Sequence, residues 1–123
     1  MSDAAEVAGS TERYQDWIQR SGAEVSAAHG VYAETASGWL SDRTAAYLAS
    51  GRPAVVQSTG FPATIPTGEG LLTFDDLNGA AKALRSVLAD YDRHAKAART
   101  LAEELFDAVA IASYVCELAG VSP

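Results

Sequence analysis

Residues 37–57 read SGWLSDRTAAYLASGRPAVVQ, and the fold turns on how this stretch is divided. Ser41 or Asp42 can cap a helix start, because a short side-chain oxygen there accepts from the otherwise unpaired amides of the first turn. Thr44-Ala45-Ala46-Tyr47-Leu48-Ala49 follows as a short helix of mostly small residues. Gly51 stands one place past its end and Pro53 blocks any continuation. Ala54-Val55-Val56-Gln57 then reads as a buried strand. Helix into strand, with another strand expected before it, makes a βαβ unit. Such units hold parallel strands joined by a right-handed crossover.

Working outward, Ser10 is placed to cap a helix with apolar positions Tyr14, Trp17, Ile18, Ser21, Val25 and Ala28, ended by Gly30. His29 would lie at that helix's carboxyl end, where the dipole favours it. Val31–Thr35 is a β-prone run and the expected first strand. Residues 59–69 (TGFPATIPTGE) hold two prolines and two glycines and read as loop. Residues 70–74 are a third short strand. Asp75 or Asp76 caps a helix with Leu77, Ala81, Leu84 and Leu88 on one face. A helix from about Tyr91 carries Ala95, Ala98, Leu101 and Leu105, then kinks or breaks near Phe106-Asp107 before a last helical stretch. The expectation is a truncated, Rossmann-like, three-layer α/β domain over residues 10–123. It has a small parallel sheet of about three strands and C-terminal helices. Residues 1–9 are expected to lack regular structure.

Composition narrows the function. At 123 residues, 48% hydrophobic and 20% charged, the chain has a globular balance and length for one core. No apolar run approaches the roughly 20 residues of a membrane span, and residues 1–10 (MSDAAEVAGS) do not resemble a secretory signal. One cysteine, Cys116, fits a reducing compartment, so a cytoplasmic location is expected. Nine Lys+Arg against 16 Asp+Glu give a net charge of −7, a poor basis for binding nucleic acid. The charge is uneven. Residues 1–40 carry −4 and residues 75–123 carry −3, whereas residues 41–74 balance Arg43 and Arg52 against Asp42 and Glu69. An anionic ligand is best accommodated in that neutral middle.

Ligands of open parallel sheets sit beyond the carboxyl ends of the strands. Two Gly-containing loops, 36–42 and 58–69, are expected at that edge. The first runs into a helix amino terminus, where free amides and the dipole suit phosphate. Ser41 and Thr44 can add hydroxyl donors and Arg43 a bidentate cation. A capped helix between strands also needs no ligand to explain it. Neither GxGxxG nor GxxxxGK[ST] is present. His29, His94 and Cys116 fall on separate elements without metal-ligand spacing, so neither metal nor cofactor is expected. His94 lies in a charged helix and should be solvated. Trp17 belongs to the apolar face of the first helix; Trp39 lies in the loop by the site, with core packing favoured over a part in the site.

The run SGWLSDRTAAYLASGRPAVVQSTGF, followed by PTGEGLLTFDDLNGAAKAL, resembles the donor-binding C-terminal half of bacterial GT-B-fold glycosyltransferases. The likeness extends over about residues 12–119. It implies a segment that holds a nucleotide-diphosphate sugar. Gly38, Ser41, Asp42 and Arg43 would face the diphosphate, with Thr59, Gly60 and Phe61 in the adjoining loop. Many such enzymes carry an EX7E motif, but Gly38 and Ala46 occupy its two positions here, so those roles do not transfer. The resemblance further implies that an acceptor-binding domain must come from elsewhere. Alone, the chain is expected to be a fragment or split subunit incompetent for transfer. The alternative is a non-catalytic module that dimerises through an exposed sheet edge.

Overall fold

The computed structural model describes residues 3–122. Three parallel strands, β1 (Glu24–Ser26), β2 (Ala54–Gln57) and β3 (Leu71–Phe74), form one sheet in the order β1-β2-β3. Val25 stands opposite Val55, and Val55 opposite Leu72. The described residues also form seven helices: α1 (Ala4–Val7), α2 (Thr11–Arg20), α3 (Gly30–Glu34), α4 (Asp42–Ala49), α5 (Leu77–Ala89), α6 (Tyr91–Leu105) and α7 (Ala108–Leu118). No helix among the described residues is long and apolar enough to cross a membrane.

The alternation of β2 builds two cores, one on each face. Ala54 and Val56 pack with Leu71 beneath Leu48 of α4 and Ala98, Leu101 and Ala102 of α6. Val55 and Leu72 face Ala83 and Val87 of α5. Helices thus cover both faces, and the molecule is a small Rossmann-like α/β domain.

Several local readings change. The first helix stops at Arg20 instead of running to Ala28. The Ser21 hydroxyl donates to the Trp17 carbonyl and the Ser21 backbone turns extended, so the Ser-Gly pair ends the helix. The first strand is Glu24–Ser26, which the longer helix would have absorbed, and Val31–Thr35 falls largely in helix α3 instead. His29 consequently sits at the amino end of α3, opposite to its expected relation to a helix dipole. In the lead-in expected to lack regular structure, residues 1 and 2 lie outside the described residues. Ala4–Val7 forms a short helix whose cap, Asp3, accepts from the Ala5 amide.

On α5 the buried positions are Ala83 and Val87, whereas Leu77 and Leu88 of the expected face are exposed. Ala83 and Val87 pack against Val55 and Leu72, which turns those leucines outward. The chain does break at Phe106-Asp107. Asp107 caps α7 through the Ala110 amide, and no residue of α7 is buried. His94, expected in solvent, is buried, and its Nδ1 accepts from the Gly70 amide. Gly70 lies flush against α6, which draws that side of the helix inward. At the same edge the Tyr91 hydroxyl donates to the Gly22 carbonyl, and Arg52 bonds both Tyr91 and the Gln19 carbonyl.

Candidate functional site

The carboxyl ends of β1 and β2 open into a cavity of about 170 Å³. Its floor includes Ser26, Val56 and Gln57, one wall is the β1–α3 connection with His29 and Tyr32, and the other is the start of α4.

The two loops expected at this edge do meet. The Gly38 amide donates to the Thr59 carbonyl at 2.7 Å, and the Thr59 hydroxyl donates to the Trp39 carbonyl at 2.8 Å. Gly60 has φ +76°, and a Cβ there would come within 3.0 Å of the Ala36 Cβ. Glycine is therefore required at 60 for both conformation and contact. Ala36 itself holds φ +48°, a conformation unusual for a residue with a side chain.

Of the seven residues expected at the site, Ser41, Arg43, Thr59 and Phe61 line the cavity. Gly38 and Gly60 shape the loops behind it. The amide of Gly38 and the hydroxyl of Thr59 are already committed within the protein, so their part is to hold loop to loop. Ser41 caps α4 by accepting from the Arg43 amide, and the Asp42 carboxylate accepts from the same amide at 2.8 Å. Asp42 therefore places a negative charge where an anion would approach. Phe61 also packs against the Leu48 side of the core.

Arg43 is anchored. Its Nε donates to Oε1 of Glu24 at 2.8 Å, and the Ser26 hydroxyl donates to the same oxygen at 3.0 Å. The Glu24 side chain is only 3% exposed, whereas that of Arg43 is 48% exposed. Hydrogen bonding to Glu24 raises the pKa of Arg43 and keeps its cation fixed. Oε2 of Glu24 is buried without a protein partner. The terminal nitrogens of Arg43 bond no acceptor among the described residues and lie beside the cavity. Neighbouring Tyr14 has its pKa raised, chiefly by burial, an effect partly offset by Arg43.

Trp39 does lie at the cavity, but it is 50% exposed instead of packed in the core. Its ring stacks on Tyr32, with centroids 4.9 Å apart and planes inclined by 15°. Trp17 is likewise partly exposed on α2. Sequence reasoning missed the wall made by His29 and Tyr32 and the Glu24 anchor of Arg43, because the helix was carried through Gly22. That glycine, next to a serine able to bond backward, was the available signal.

No group of three or more His, Cys, Asp or Glu side chains among the described residues is disposed to hold a metal ion. Chemically, the site offers one fixed cation, a helix amino terminus and an aromatic face. It has the parts of an anion-binding crevice, without a paired acid and base. Comparison with protein families, curated proteins and solved structures gave no match.

Proposed function

We propose that the cavity binds the diphosphate of a nucleotide-diphosphate sugar, and that the chain is the donor-binding portion of a GT-B-like glycosyltransferase. The observation that carries this reading is the meeting of the α4 amino terminus with the Thr59-Gly60-Phe61 turn at the carboxyl edge of the sheet. The amino terminus of α4 and the fixed Arg43 guanidinium can converge on one anion there. Transfer requires donor and acceptor to be held in register. In this reading the acceptor wall comes from another chain or domain, and this chain binds without transferring. The reading includes no metal or cofactor and a cytoplasmic setting.

Amide chemical-shift mapping tests it directly. Millimolar pyrophosphate or nucleoside diphosphate should move the signals of 38–43 and 59–61. An absence of shifts, or shifts confined to the opposite edge around Arg52 and Tyr91, would remove the reading.

A second reading has an observation of its own. β1 is an edge strand, and Val25 on its α5-facing side is 55% exposed. A non-catalytic dimer joined through this edge would cover it. Sedimentation giving a tight dimer with no response to nucleotides would favour that alternative.

A further inference from the structure

The Tyr32–Trp39 pair contributes nothing to the proposed diphosphate seat, and the cores on the two faces of the sheet do not include it. Tyr32 covers one side of the Trp39 ring, yet half of Trp39 stays exposed. The outer face of a stacked pair is thus presented at the cavity mouth. His29 adds a third ring, edge-on to Tyr32 at 6.0 Å. Trp39 is two residues from Ser41, at most about 7 Å along the chain. One small ligand can therefore touch both the aromatic face and the α4 amino terminus.

The chemistry beside the pair selects among ring types. A cationic ring or ammonium is disfavoured, because Arg43 already brings a positive charge to the same cavity. A hexose needs acceptors for its hydroxyls, and the two nearby carboxylates are engaged. Glu24 receives Arg43 and Ser26, its other oxygen is closed to solvent, and Asp42 receives the Arg43 amide. A flat conjugated ring needs only the face and a few edge contacts. Gln57 is suited to one of them. Its side-chain oxygen is fixed by the Ala28 amide at 3.1 Å, which leaves its NH₂ as donor at the cavity floor.

We propose that the outer face of Trp39, backed by Tyr32, is the seat of a nucleobase, so the preferred ligand is a nucleoside diphosphate and not a sugar phosphate. This rests on the diphosphate reading above, and the test separates the two.

In a Trp17→Phe chain, Trp39 is the remaining tryptophan and reports stacking through its fluorescence. Uridine and adenosine diphosphates should quench it and bind about fivefold or more tightly than pyrophosphate, the least expected of a base stacked on an aromatic ring. Trp39→Ala should remove that advantage while pyrophosphate affinity, followed by amide shifts at 41–44, stays unchanged. Tyr32→Ala should weaken the nucleoside diphosphates by a smaller factor, because Trp39 loses its backing. If pyrophosphate binds and the nucleoside diphosphates bind no tighter and do not quench, the nucleobase seat is refuted and the anion site survives. Quenching by glucose 1-phosphate but not by the nucleoside diphosphates would assign the face to a sugar and overturn the proposal. If neither pyrophosphate nor any nucleotide binds, both readings fall.

Discussion

Replacing Arg43 by methionine isolates the energetics of the cation that defines the cavity wall. The substitution keeps most of the aliphatic stem and removes the guanidinium, leaving the Glu24 carboxylate with the Ser26 hydroxyl as its one partner. Breaking a fully buried ion pair costs about 3–5 kcal/mol, and an exposed pair contributes under about 1 kcal/mol. Here the acid is buried and the base half-exposed, so a loss of about 2 kcal/mol is expected. For a domain of this size each kcal/mol shifts Tm by roughly 3–5 °C, which gives a drop of about 6–10 °C.

Glu24→Gln retains an acceptor and removes the charge, so it should cost less, about 1 kcal/mol. The double variant should then be more stable than the sum of the singles by at least about 1 kcal/mol, since the stranded charge is gone. Urea denaturation of the four proteins, followed by circular dichroism, measures each difference. Because the carboxylate is shielded from solvent, the Arg43→Met loss should persist at high salt. A loss below about 0.5 kcal/mol, additivity in the double variant, or abolition by salt would show that Glu24 does not fix Arg43 and refute the reasoning.

Four further outcomes follow from other contacts. Gly70→Ala would set a Cβ 2.4 Å from the Ala98 amide nitrogen at φ +73°, so about 3–5 kcal/mol should be lost and thermal melting should show it. Asp42→Asn removes the negative charge at the α4 start, so pyrophosphate should bind about two- to fivefold more tightly by calorimetry; unchanged or weaker binding would place the anion elsewhere. The Arg93 guanidinium, hydrogen-bonded to Glu69, lowers the Glu69 pKa. A depressed carboxylate stabilises the fold above its unfolded pKa of about 4.3 and loses that contribution as pH falls through the folded value. Carboxyl NMR titration should therefore show Glu69 returning to the ordinary range in Arg93→Ala. Finally, because α7 buries none of its residues, removing 108–123 should leave Tm within about 3 °C, as expected of a change that disturbs no core.

Signals carried by individual residues were legible; those set by packing were not. Ser41, Gly51 and Pro53 delimit α4 and β2 by local stereochemistry, and both elements lie where those residues require. The meeting of the 36–42 and 58–69 loops was expected from sheet polarity, although the strand expected to feed the first loop, 31–35, is largely helix α3 and the true β1 precedes it. The beginning of the sheet was illegible for an equally physical reason. Tyr14, Trp17, Ile18, Ser21 and Val25 keep helical spacing, but Val25 points to an uncovered sheet face and Glu24, a charged residue, takes the buried position. A buried glutamate reads as surface until its partner is known, and that partner lies 19 residues away in Arg43. His94 misled in the same way. Its neighbours in sequence are charged, yet its place is set by the Gly70 amide across the fold.

The exposed apolar surfaces and the small cavity have a common origin. α5 covers β2 and β3 but not β1, which leaves Val25 open, and α7 lies on no core. The accessible surface of 8021 Å² exceeds by roughly a quarter the value near 6,300 Å² expected of a compact chain this long. The excess is about twice the roughly 800 Å² that one partner contributes to an ordinary protein interface. The cavity of about 170 Å³ falls below the roughly 300–1,000 Å³ of a complete small-molecule pocket. It has room for part of a nucleotide and opens outward for the remainder. Binding and transfer consequently separate in the proposed function. Arg43, the α4 start and the aromatic pair line one cavity, where a phosphate and a ring can be held. Orientation of an acceptor needs a facing wall, which in this reading another chain or domain supplies.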